Sequence, residues 1–217
     1  MKRELYVFIK FVMLLTWVVA TSLPCRLEAL DDIEFYLAGY GMGSQPLNKG
    51  VSFKGRVVSG EKVSGGPGLG FKVGLFPHFT SGYFGLELES FGNNNSIRFP
   101  IGNGPGATKG DSSLITHQSM INLIARYPGA IFRPYAGVGG GLSNGILRNA
   151  DIPGRKDKSF ETGTAPGYQF LGGIQLVITE RWFVFGEYKY FSANYHWKEL
   201  SLNFRSEYFL GGIGFLF

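Results

Sequence analysis

His117 stands two residues before a serine, in the run Thr116-His117-Gln118-Ser119. Side chains two apart share one face of a strand, so His117 and Ser119 point the same way if this segment is extended. A serine hydroxyl attacks an acyl ester when a base within hydrogen-bond reach takes its proton and an acid orients that base. The acid is what the sequence lacks: the segment expected to lie beside this one, Pro134–Gly145, carries no Asp or Glu. Two readings stay open: an esterase pair, or two polar residues at an interface.

Other residues with chemical potential lead less far. His78, His117 and His196 have no spacing that would ligate a metal, and no metal is expected. The runs "GPGLGFKVG" and "GVGGG" are rich in glycine, but no helix follows them to receive a phosphate, so they read as strands and no cofactor is expected. Two stretches are basic. Gly43–Pro67 holds Lys49, Lys54, Arg56 and Lys62 against Glu61, and a later one holds Arg148, Arg155, Lys156 and Lys158 against Asp151 and Asp157. Such side chains could pair with phosphates of lipopolysaccharide, or simply be solvated.

The elements that would carry these residues are strands. After Asp32 the chain alternates between segments of apolar period two and turn-rich polar stretches. Eight strands are expected, near Ile33–Met42, Gly68–Phe76, Gly82–Phe91, Ser113–Arg126, Pro134–Gly145, Gly167–Thr179, Arg181–Ser192 and Leu202–Phe217. Short links ("PHFTS", "YPGAIFR" and a bend at Glu180) alternate with longer ones at Gly43–Pro67, Gly92–Ser112, Ile146–Pro166 and Ala193–Ser201. That beat predicts an all-β fold, an eight-stranded antiparallel up-and-down transmembrane β-barrel with short periplasmic turns and long outer loops.

Each strand has two unlike faces. Leu69, Phe71, Val73 and Leu75 oppose Lys72; Phe84, Leu86 and Leu88 oppose Glu87 and Glu89; Tyr168, Phe170, Ile174, Leu176 and Ile178 oppose Gln169 and Gln175. Periodicity cannot say which face turns inward. The basic, then apolar, front of the chain, the aromatic density and the final Phe217 choose apolar out and polar in. The lumen then receives Lys72, Arg126 and Lys189 with Glu87, Glu89 and Glu187, a balanced set that must pair, because an uncompensated buried ion costs several kcal/mol. That set is either a plug of salt bridges or a gated ion path. Gly137, Gly139 and Gly141 should leave space for long side chains opposite. Tyr36, Tyr83, Trp182, Tyr188, Tyr190 and Phe209 are expected in the aromatic girdles, and Trp197 in the last outer loop.

At that front end, Lys2 and Arg3 precede an apolar run from Phe11 to Ala20, the layout of a secretory signal peptide, with cleavage expected after Ala29 or, second, after Ser22. Residues 1–29 would be the leader and 30–217 the barrel domain. Cys25, the one cysteine, lies in the leader after Pro24, which argues against a lipid anchor. Loss of the leader removes four cations and two anions and lowers the net charge from +5 to about +3, too mild to suggest nucleic acid.

"RPYAGVGGGLSNG", "GYQFLGGIQLVITERWFVFGEYKY" and the ending "SEYFLGGIGFLF" resemble segments of the small outer-membrane β-barrel proteins of the OmpA membrane-domain and Opa-like porin type. The resemblance covers Leu30 to Phe217. It implies a Gram-negative outer-membrane location reached through the Sec pathway, lipid and lipopolysaccharide as surroundings, and a monomer. It also implies that Phe209, Ile213, Phe215 and Phe217 form a signal read by the barrel-assembly machinery, although Gly211 takes one slot of that pattern. The His-x-Ser pair is similar to that of the lipid A deacylases, but Met120 and Ile121 differ from the residues after the serine in that family. A non-enzymatic envelope protein is the expected function; the alternatives are a deacylase-like esterase using His117 and Ser119, or a narrow channel for small solutes.

Overall fold

A computed structural model describes residues 33–47, 51–53, 56–58, 62–101, 108–148, 161–197 and 200–217. The expected leader lies outside the described residues, as do Lys49, Lys54, Glu61, Asp151, Arg155, Lys156, Asp157 and Lys158. The strands are β1 (Ile33–Pro46), β2 (Val51–Phe53), β3 (Arg56–Val58), β4 (Lys62–Ser64), β5 (Pro67–Pro77), β6 (Phe84–Ile101), β7 (Thr108–Arg126), β8 (Phe132–Arg148), β9 (Glu161–Val177), β10 (Trp182–His196) and β11 (Leu200–Leu216). Eight of them are long. Each of these pairs with the next in sequence, and β11 returns antiparallel to β1 to close the ring, with Leu37 opposite Phe215 and Gln45 opposite Glu207. Closure removes every sheet edge from the wall, which is what lets strands cross a bilayer.

At one end the links are tight. After Pro77 a single 3-10 turn, His78–Thr80, leads into Ser81 at φ 52° and Gly82 at φ 75°. The Thr80 hydroxyl donates to the Pro77 carbonyl at 2.8 Å and holds this reversal. At the other end the strands run further than their polarity suggested. β6 and β7 stay paired to Ile101 opposite Thr108, so most of the expected loop Gly92–Ser112 is strand. β8 and β9 pair to Leu147 opposite Glu161, and β10 and β11 to His196 opposite Ser201. Where β1 and β5 stop, β2 adds to β11 and β4 to β6, continuing the wall.

The facing of side chains inverts that of a soluble barrel. Leu69, Phe71, Leu86, Leu88, Leu123, Val138, Phe170, Ile174 and Phe209 are exposed on the outside, whereas Lys72, Glu87, Glu89, Gln169, Glu187 and Lys189 are buried within. The inversion is confined to one zone. Towards the long-loop end the inward residues become Leu114, Leu147, Tyr195, Leu202 and Phe204, all buried, and outward positions such as Asn203 and Arg205 are polar. That part of the wall has an ordinary apolar core, and this core keeps the extended hairpins together beyond the apolar belt.

A charge placed in the belt should therefore be costly and one placed above it tolerated. Phe170→Arg is expected to lower stability in lipid vesicles by about 2–4 kcal/mol, and Asn203→Arg by less than about 1 kcal/mol, as read from urea unfolding.

Candidate functional site

The centre of the lumen holds five alternating charges. Lys72 lies between Glu187, at 2.6 Å, and Glu87, at 3.4 Å; Lys189 lies between Glu89 and Glu187, the latter at 3.4 Å. The order Glu87–Lys72–Glu187–Lys189–Glu89 leaves no lysine without a carboxylate on each side. Every oxygen of Glu87 and Glu89 has further donors. Tyr36 donates to Glu87 and Tyr40 to Glu89; Asn122 donates to Glu87 at 2.8 Å and to Glu89 at 3.1 Å; Gln169 donates to Glu89 at 2.8 Å. Tyr135 donates to Glu187 at 2.8 Å. Both lysines also lie against rings, Lys72 4.4 Å from the centroid of Phe185 and Lys189 4.5 Å from that of Phe91.

Arg126 is buried in the lumen but stands apart from this chain of charges. Its guanidinium donates to Glu34 at 2.6 Å, and Arg133 shares the same carboxylate at 3.2 Å, near the short-turn end. Glu34, Tyr36, Tyr40, Tyr135, Asn122 and Gln169 complete the site without having been singled out from sequence as part of it. Tyr36 is a correction: expected in a girdle, it points inward because it shares parity with Glu34 and Tyr40. Apart from Glu34, both faces of "IEFYLAGYGM" are apolar or aromatic, so alternation marks the inward face only through that one charge. The girdle expectation fits the exposed Tyr83, Trp182, Tyr188 and Phe209.

Glycine makes this geometry possible. To reach β6 from β1, Tyr36 and Tyr40 must pass over β5, and they do so at Gly74 and Gly70. A Cβ there would come within 2.2 Å of the Tyr36 ring and 2.3 Å of the Tyr40 ring. The glycines expected to accommodate long ionic side chains serve other neighbours. Gly139 faces Asn122, Gly137 faces Ile124 and Leu171, and Gly141 lies against Ser119 and Met120. Above the charges, Asn93, Asn95, Thr116 and Ser44 form a hydrogen-bonded tier. From the level of Lys189 towards the long-loop end, Phe91, Phe191, Tyr208, Phe204, Tyr195 and Trp197 pack ring on ring. Trp197 lies, as expected, in the link between β10 and β11, and its ring is buried there, stacked on Tyr195.

His117 and Ser119 both face outward, just above the apolar belt. The histidine's Nε2 meets Ser90 on β6 at 3.0 Å. Beside the two residues the register places Gly92 and Asn144 next to His117, and Ser90 and Leu142 next to Ser119, so no carboxylate occupies a neighbouring cross-strand position. Among the described residues no cluster of His, Cys, Asp or Glu is arranged to hold a metal. Phe209, Ile213 and Phe217 are exposed on the outer face of β11, and Phe215 packs edge-on against Trp182 and Phe217.

The glycine passages generate a paired expectation. Gly74→Val should displace the Tyr36 ring, break its bond to Glu87 and destabilise the barrel by about 1–3 kcal/mol. Gly41→Val, on the outer face with nothing within 4 Å of its Cβ, should change stability by less than about 0.5 kcal/mol in the same unfolding assay.

The fold has known counterparts. Neisserial surface protein A superposes with a TM-score of 0.54 at 14% identity, covering 84% of this chain and 97% of that one. The outer membrane protein OprG of Pseudomonas aeruginosa superposes with a TM-score of 0.51 at 16% identity, covering 85% and 95%. At these identities the likeness is one of fold. No curated protein matches the sequence. A family model described as the outer membrane protein beta-barrel domain matches residues 15–208. The chain belongs to that family of outer-membrane β-barrels.

Proposed function

We propose that this protein is a non-enzymatic, non-conducting barrel of the Gram-negative outer membrane, whose work is done by its outer surface. The reading rests on one observation: among the described residues the middle of the lumen is occupied by paired charges, with packed rings beyond them. A cavity at the short-turn end, lined by Phe76, Arg126, Tyr135, Gln175 and Phe183, reaches Lys72 and Glu87, but Glu89, Lys189 and the rings above them line none of it. A hydrated ion entering there meets paired charges and then an aromatic cap. Residues 1–29 would direct export through the Sec pathway, and the outward stripe of Phe209, Ile213, Phe215 and Phe217 would be read by the assembly machinery before it meets lipid. The protein would act as a monomer among lipid and lipopolysaccharide.

The charges are structural in this reading. Removing Lys189 leaves a buried carboxylate, Glu89, without a cation in contact, a loss of about 3–5 kcal/mol. Lys189→Met, which also leaves Glu187 with Lys72 alone, should show that loss in urea unfolding. Wild-type protein in planar bilayers should show no stepwise conductance in molar salt, and steady single-channel currents would overturn the sealed-lumen reading.

An esterase centred on His117 and Ser119 would need an acid that the adjacent strands do not supply at the paired positions. Ser119→Ala should leave the acylation of lipid A unchanged by mass spectrometry in cells expressing the protein. A lipid A species lost with the serine would restore the enzymatic reading.

A further inference from the structure

The outer surface is not uniform around the ring. On β6 to β9, Leu88, Ile121, Leu142 and Phe170 form exposed apolar wall. Directly above it lie two hydrogen-bonded pairs of neutral side chains on adjoining strands. Ser90 meets His117 at 3.0 Å, His117 stands in register with Asn144, and Asn144 accepts from Thr164 at 2.7 Å. Two strand positions above His117, Ile115 faces Ile146. Above these, Ser113 is in register with Arg148, which is exposed at the end of β8. From His117 to Ser113 the rise is about 13 Å at the usual strand repeat. At the corresponding level on β11 the outward residue is Glu207, which Tyr188 holds at 2.8 Å.

We propose that the β6–β9 face docks one phosphorylated glycolipid of the outer leaflet. Its acyl chains would lie on the apolar wall, its sugars on Ser90, His117, Asn144 and Thr164, and its phosphate near Arg148. Three features of the surface select this occupant. The polar pairs continue the belt that already contacts lipid, so a molecule bound there must have one end in the hydrocarbon. Hydroxyl, amide and imidazole groups both donate and accept, as sugar hydroxyls do, whereas phosphatidylglycerol and phosphatidylethanolamine have no sugar ring to meet them. A guanidinium suits a phosphate better than any other side chain, and the carboxylate of Glu207 would repel one on the far side. The inference rests on the reading that the barrel works through its outer surface, but it does not depend on the lumen being sealed.

Native mass spectrometry of the full chain, refolded and mixed with bis-phosphorylated lipid A or with phosphatidylglycerol, tests the proposal. Wild type should retain one lipid A and release phosphatidylglycerol at lower collision energy. The combined variant His117→Leu, Asn144→Leu, Arg148→Gln should retain lipid A about tenfold less, a change of about 1.4 kcal/mol, while Asn203→Leu on β11 retains it as wild type does. Arg148→Gln alone, at an exposed strand end, gives a second test that does not risk the fold, and it should lower retention measurably. Folding of each variant is checked by the faster gel migration of unheated sample. Equal retention of lipid A by wild type and by the folded combined and Arg148→Gln variants would overturn the proposal, and so would equal retention of the two lipids by wild type. Ionic conductance with intact lipid A retention would instead remove the sealed-lumen reading and leave this one standing.

Discussion

Five charges buried inside the barrel dominate this molecule. Inside a ring of eight strands, a lysine ammonium loses its hydration and can recover the loss only from carboxylates held within contact. Lys72 and Lys189 each have two, and Glu187 serves both. The remaining oxygens are met by Tyr36, Tyr40, Asn122, Tyr135 and Gln169, which arrive from β1, β7, β8 and β9. The network thus reaches strands all round the barrel, and any shift of register along one of them would unpair a charge. The same interactions that fill the lumen also tie its wall together.

This constraint explains where small residues fall. A ring that must cross a neighbouring strand inside a narrow barrel needs a position without a side chain, and Gly70 and Gly74 provide it. It also explains why the polarity of the wall changes along its length. Where hydrocarbon lies outside, the interior can be ionic because the apolar residues are needed elsewhere. Where water lies outside, the interior must supply the apolar core, and Phe91, Phe191, Phe204 and Tyr195 do so. One chain of strands therefore has two opposite inside-out arrangements stacked end to end. The level at which they exchange, marked outside by Ser90, His117 and Glu207, is where the exposed apolar belt ends.

One expectation failed for this reason. Gly92–Ser112 reads as loop because Asn93, Asn94, Asn95 and Ser96 are poor strand formers on their own. In the barrel Asn93 and Asn95 are buried and bonded, and the stretch is strand. Trp197 does lie in the link after β10, but its indole is buried over Tyr195 and donates to the Gly145 carbonyl, which its place in a loop did not announce. Local preference could not anticipate a second core beyond the membrane zone.

Much of the architecture was legible without coordinates, since strand number, the alternation of short and long links and the two-faced character of each strand are local properties of period two. Parity placed Lys72 opposite Phe71 and Glu87 opposite Leu86, because neighbouring side chains must point apart. Which charge meets which was beyond reach. Lys72 and Glu187 are 115 residues apart, Lys189 and Glu89 100, and Arg126 and Glu34 92. Such pairs exist only once strand order, register and closure are set together. Tertiary structure alone could therefore separate Arg126 from the central charges, turn Tyr36 inward and give His117 a serine on the next strand as its partner, because each outcome depends on distances across the barrel that no spacing along the chain encodes.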